Sequence, residues 1–210
     1  MNVFRNLAMA ATNQRLAAAS LAHYQQRLRL SFLLIVSSIV LMCSVQLSAD
    51  QRAEELPELF DQLLVATSAA QASEIESQIW QHWLDAPDDS SEFLISQVSR
   101  AMEVGQMELA LKLSTQLIDG TPNYAEAWNK RATIYYLMGN NDLSVADIRE
   151  TLALEPRHFG AISGLGLIFM REQNLEAALQ AFEQVLAISP ASANARNSAE
   201  RVKTELGREI

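Results

Sequence analysis

The sequence predicts an all-α chain: a solenoid of stacked helical hairpins behind an N-terminal signal or anchor segment. Three observations carry this. Pro122, Pro156 and Pro190 recur at a constant spacing of 34 residues, a period characteristic of helical-hairpin repeats. Each period holds two short apolar stripes at helical spacing, such as Trp128, Ala132 and Tyr135 and then Val145, Ile148 and Leu152, separated by a turn. Leu, Ala, Glu, Gln and Ser dominate, while the 210 residues include only 7 Gly and 5 Pro, which favours helix over strand.

Charge divides the chain. Residues 1–49 contain Arg5, Arg15, Arg27 and Arg29 and no acidic residue; all 25 Asp and Glu lie from Asp50 onward. Residues 1–29 form a basic leader and 30–49 an apolar segment. Leu30–Leu47 (LSFLLIVSSIVLMCSVQL) carries no charge and is just long enough to span a bilayer. Arginines before it and acids after it orient the body away from the cytoplasm. Three readings stay open. One is a signal peptide cut near Ser48-Ala49-Asp50, supported by the serines and Gln46 within the run. The second is a retained membrane anchor, which would give membrane contact through Leu30–Leu47. The third is an organellar presequence. The expected location is periplasmic, with an inner-membrane-anchored form as the alternative.

The acidic body argues against nucleic acid as a partner, since phosphate neutralisation needs a basic stripe. One cysteine, Cys43, excludes an intrachain disulfide and a cysteine-built metal site. The histidines are His23, His82 and His158, with no nucleophile or carboxylate motif around them. No HExxH, GxSxG or phosphate-binding loop occurs. Ser163-Gly164-Leu165-Gly166 is not preceded by a strand pattern. The chain is expected to be non-enzymatic and to bind no cofactor or metal.

The body then falls into units. Residues 50–90 read as a helical hairpin, with Pro57 in a first turn, Leu59, Phe60, Leu63 and Leu64 on one face, and Ile75, Ile79, Trp80 and Trp83 on a second helix over Ser73–Leu84. Pro87 stands 35 residues before Pro122, so this hairpin reads as a degenerate repeat one residue out of phase. Units 91–124, 125–158 and 159–192 follow in phase, and 193–210 reads as a capping helix with Ala195, Ala199, Val202 and Leu206 on its apolar stripe. Asn123 and Glu126 have the spacing of a capping box. Gly105 and Gly139 suit the positive φ of a helix C-terminus. A buried Trp128 would cost ~3–5 kcal/mol to truncate.

These units resemble tetratricopeptide repeats (TPRs), whose pattern runs Trp, Leu, Gly, Tyr, Ala, Phe, Ala, Pro. Unit 125–158 offers Trp128, Ala132, Tyr135, Ser144, Ile148, Thr151 and Pro156, departing at Arg131, where Leu is usual. Unit 159–192 offers Ile162, Leu165, Gly166, Phe169, Ala178, Phe182, Val185 and Pro190. Unit 91–124 is weaker, with Leu94, Ala101, Ala110, Leu117 and Pro122. Small residues at 110, 144 and 178 would let paired helices cross closely, and aromatic residues at 135, 169 and 182 would fill spaces between hairpins.

The resemblance implies a concave groove, lined by the first helix of each unit, that binds a protein or peptide client. The implied partner-facing residues are Glu126, Asn129, Lys130, Thr133 and Tyr136 in the middle unit, and Ser163, Leu167, Met170 and Arg171 in the last. Unit 91–124 adds Glu92, Ser99, Met102 and Glu103. Asn129, Lys130 and Arg157 would grip a backbone or terminal carboxylate; alternatively, Lys130 and Arg131 are solvated or pair with Glu126. Gly160 and Gly164 stand where the chaperone-binding subfamily needs basic residues, which disfavours that subfamily. A second expectation is an assembly factor presenting a client to a membrane complex, by analogy with cytochrome c maturation factors; a third is an organellar TPR protein.

Overall fold

The computed structural model describes residues 55–208, all within one compact unit; the leader, Leu30–Leu47 and the cleavage region lie outside these residues. The described residues form nine helices and no strand: α1 (Leu56–Leu64), α2 (Ala69–Leu84), α3 (Asp89–Glu103), α4 (Met107–Gly120), α5 (Ala125–Leu137), α6 (Asn141–Leu154), α7 (Phe159–Arg171), α8 (Leu175–Ile188) and α9 (Ala193–Leu206). Helices α3/α4, α5/α6 and α7/α8 pair as antiparallel hairpins, and α9 packs on α8. Successive hairpins stack so that α3, α5 and α7 lie side by side as an inner row.

Each hairpin turns by the same device. Gly105 (φ 73°), Gly139 (φ 82°) and Gln173 (φ 58°) take the left-handed conformation just past α3, α5 and α7. The next N–H then reaches back to the helix: Gln106 to Ala101 O at 2.8 Å, Asn140 to Tyr135 O at 2.8 Å, and Asn174 to Phe169 O at 2.9 Å. These bonds satisfy carbonyls that the helix end leaves open. Gln173 does this with a side chain, at a steric cost glycine avoids.

Within the hairpins, Ala110, Ser144 and Ala178 are buried at the helix crossings. Ser144 Oγ donates to Ala132 O at 2.7 Å, tying α6 to α5. In the third repeat a Cβ on Gly166 would come within 2.7 Å of the Phe182 ring, so the missing side chain makes room for the aromatic one. Arg131, the departure from Leu, gives its guanidinium bidentately to Asp147 at 2.7 and 2.9 Å. Its hydrogen bond to Asp147 raises the guanidinium above its ordinary value against the opposing effect of burial. The folded form therefore holds its proton more tightly than the unfolded chain. That contribution is complete at neutral pH and would fade only in strong alkali.

Three local expectations are corrected. Helix α2 starts at Ala69, not Ser73, because Ser68 caps it by accepting from the Gln71 N–H. No capping box forms at α5: its N-cap is Tyr124, without a side-chain bond, because Glu126 turns inward to other partners. Trp128 is only partly buried. It donates Nε1–H to Pro122 O at 2.8 Å and lies 5.1 Å from the Arg131 guanidinium, so the core-truncation cost does not apply in full.

The larger correction concerns α1–α2. Rather than extending the stack ahead of α3, this hairpin folds back onto the second and third repeats. Trp83 is fully buried and stacks flat on His158, with centroids 4.0 Å apart and planes at 10°. Trp80 meets His158 and Phe159 edge-on at 5.3 and 5.7 Å. Arg157 covers the Phe60 ring at 3.8 Å, Ser189 Oγ donates to Glu76 Oε1 at 2.8 Å, and Tyr124 Oη donates to Leu84 O at 3.1 Å. A continuous core results, running from Leu56, Leu63 and Ile79 through Trp83 to Phe159, Ile162 and Val185. The hairpin lacks the aromatic and small-residue pattern that lets one repeat seat on the next; its two tryptophans find their apolar surface deeper in the array.

Candidate protein-binding surface

The inner row divides into two halves. Toward the N-terminal ends of α5 and α7, the expected contact residues are enclosed. Glu126 is fully buried. It accepts from Asn129 Nδ2 at 2.8 Å, faces His158 Nε2 at 3.1 Å and lies 3.5 Å from Lys130 Nζ. The Ala161 N–H donates to His158 Nδ1 at 3.1 Å, so Nδ1 holds a lone pair and the ring proton sits on Nε2, aimed at Glu126. His158 thus caps α7 and ties it to α5. Glu126 and Asn129 are correspondingly spent inside the protein, and Lys130 pairs with Glu126 instead of standing free. Arg157 is committed to Phe60 and lies 3.6 Å from Glu155. The expected Asn129–Lys130–Arg157 grip on a carboxylate is therefore corrected: two of the three face inward partners, and the third covers α1.

Toward the C-terminal ends the row is open. Thr133 is exposed, Leu137 keeps 53% of its surface and Leu167 36%. Tyr136 and Arg171 are joined across the repeats. The guanidinium lies 3.6 Å from the phenol ring centroid and donates to Tyr136 O at 2.7 Å and to Asn141 Oδ1 at 3.1 Å. Met170, half-buried, takes a 3.7 Å contact from Arg201 of α9 at its sulfur. Ser163 is half-buried, as are Ser99 and Met102 in α3, while Glu92 and Glu103 are exposed. Tyrosine and arginine are among the residue types enriched where proteins meet.

His82 lies elsewhere, in an open crevice with Glu55, Asp85 and Glu92, its Nε2 3.6 Å from Glu55. Among the described residues no three His, Cys, Asp or Glu side chains gather as a metal site, and no helix is long and apolar enough to cross a membrane. Sequence reasoning missed the roles of His158, Trp80, Trp83 and Gly160. The available signal was the Trp80–Trp83 spacing, which puts both rings on one side of a helix.

The tetratricopeptide repeat family profile matches residues 130–193. A TPR repeat-containing protein of Rhizobium etli is 35% identical over 153 residues, covering 73% of this chain and 75% of that protein. The chain belongs to the tetratricopeptide repeat family. Its TPR fold is similar to the Sgt2 TPR domain from Aspergillus fumigatus, with TM-score 0.55 and 23% identity over 59% of this chain and 83% of that one. It is also similar to the first TPR of Spaghetti (RPAP3), solved bound to the HSP90 peptide SRMEEVD, with TM-score 0.53 and 22% identity over 56% and 93% of the two chains. Within this TPR array the α1–α2 hairpin covers one half of the inner row and leaves the other open.

Proposed function

We propose that this protein is a non-enzymatic adaptor that binds a protein or peptide client on the open half of its inner row, centred on Thr133, Tyr136, Leu137, Leu167 and Arg171. The observation carrying this reading is that Leu137 and Leu167 are both exposed on α5 and α7, the two helices that Tyr136 and Arg171 join by a preset stack. An apolar patch next to a held guanidinium can bury a client's side chain and take an acceptor from its backbone. That the RPAP3 domain was solved with a bound peptide supports the same use of the fold. The client differs in kind from an acidic chaperone tail, because Lys130 and Arg157 beside the row are spent on Glu126 and Phe60.

The proposed setting is outside the cytoplasm, on the basis of the uncharged Leu30–Leu47 run and its flanking charges; the anchored assembly factor is the variant in which that run is retained. Mass determination of the native N-terminus separates them: a start near Asp50 means export with cleavage, and an intact leader means an anchor. The client reading is tested by placing a photo-crosslinking residue at Leu137 or Leu167 and, as controls, at the exposed Arg149 and Glu183 on the second helices. Adducts confined to the inner positions support it. Equal adducts at all four, or none at Leu137 and Leu167, overturn it.

A further inference from the structure

We infer that this chain pairs with a second copy of itself at the N-terminal end of its repeat stack, the outward face of α3 lying antiparallel on α3 of the other copy. The repeat register shows what that face is built to do. In the second repeat, Ala127 and Ile134 of α5 are fully buried against the α3–α4 hairpin and Met138 packs beside them. Arg131 of the same helix reaches Thr115 Oγ1 of α4 at 3.4 Å. In the third repeat, Ala161 and Ile168 are buried at the matching positions. Thirty-four residues before Ala127, Arg131, Ile134 and Met138 stand Phe93, Gln97, Arg100 and Val104. They hold the seat that a preceding hairpin covers in the other repeats, and among the described residues no hairpin covers it here. Phe93 keeps 64% of its surface and Val104 62%, and Arg100 is exposed.

The hairpin that chain order would supply is held elsewhere. Helix α2 packs on α5 and α1 on α8, with Trp80 so near Gly160 that a Cβ there would fall 2.6 Å from the ring. The stack is therefore closed at its other end alone. There α9 buries Ala195, Ala199 and Val202 and turns Asn194, Arg196 and Lys203 to water. A repeat array needs a covered or polar face at both ends.

The open face is complementary to itself. Phe93, Gln97, Arg100 and Val104 follow at intervals of four, three and four residues, which makes one stripe with the spacing of a two-helix seam. Laid antiparallel about a two-fold axis near Gln97, each Phe93 drops between Arg100 and Val104 of the other copy. Its ring then meets an apolar side chain on one side and a guanidinium on the other. The two Gln97 amides meet at the axis, where each can both donate and accept. The polar outer side of α9 offers Phe93 no such seat, so the copies join head to head and the pair is closed. Helix α3 has 15 residues, about 22 Å of length. A contact of that length sits at the low end of specific interfaces, so the pair is a reversible dimer and not an obligate one. This face is distinct from the open row, and its failure would leave the client reading untouched.

The test uses the full chain with Cys43→Ser, which removes the native thiol, and one new cysteine. Gln97→Cys places it beside the axis; Asn194→Cys, on the exposed side of α9, is the control. Mild oxidation should link the Gln97→Cys chain into dimers at least ~10-fold more than the control. Adding Phe93→Glu and Val104→Glu to the Gln97→Cys chain should lower that yield by ~10-fold or more, with helical circular dichroism unchanged. Equal yields at Gln97 and Asn194 overturn the proposal, because the copies then meet at random or through another part of the chain. A Gln97 cross-link that survives both glutamates overturns it as well. So does loss of helix in the double-glutamate chain, since the two side chains would then be holding their own fold together and not a second copy.

Discussion

The second and third repeats make the same hairpin from different chemistry. In the third, Gly166 yields its volume to Phe182, and the crossing is apolar. In the second, Arg131 bonds bidentately to Asp147, and Ser144 bonds to Ala132 O. The turns differ in the opposite sense: the second uses Gly139 and the third uses Gln173, both at positive φ. The repeat pattern thus prescribes volumes and backbone angles, and a polar pair with all its bonds made can stand where an apolar one is usual. The polar solution is the more brittle, since removing one member leaves the other buried with a charge.

Substitutions can break this comparison, beginning with the largest effect. Phe182→Ala should cost ~3–5 kcal/mol through lost burial and a cavity beside Gly166, read from the denaturant midpoint. Arg131→Leu restores the usual residue yet should destabilise by about 3 kcal/mol, because Asp147 is left without its partner in a nearly closed site. Arg131→Leu with Asp147→Leu should recover most of that loss. If the single change is neutral, the pair is decoration. Gly166→Ala should cost ~1–3 kcal/mol by overpacking, and Phe182→Leu in the same chain should relieve part of it. The smallest effects lie in the turns. Gly139→Ala should lower stability by about 1 kcal/mol and Gln173→Gly should raise it by about 1 kcal/mol, both measured by thermal melts. Equal and negligible shifts at the two turns would show that the strain is absorbed elsewhere.

A second contrast, between the periodic array and the α1–α2 hairpin, marks how far the chain could be read without coordinates. Pro122, Pro156 and Pro190, the small residues at 110, 144 and 178, and Gly105 and Gly139 all mark local requirements: a helix stop, a close crossing, a positive φ. Each is met within one hairpin or between adjacent ones, so the residue names suffice. The groove was harder. Glu126, Asn129 and Lys130 lie on the expected helix, but whether they face a client or each other depends on His158, 32 residues away, and on a hairpin that covers them.

The sequence by itself determined the helical class, the 34-residue register and the hairpin turns, because each follows from short-range sterics and apolar period. Only the tertiary structure decided where Trp80 and Trp83 go. An amphipathic hairpin outside the repeat phase carries an apolar face but no address for it. The address came from the gap at Gly160 and the flat ring of His158, two features that acquire meaning when chain segments more than 70 residues apart meet. Hydrophobic burial is non-directional: it guarantees that such a face will be covered and leaves the partner to shape.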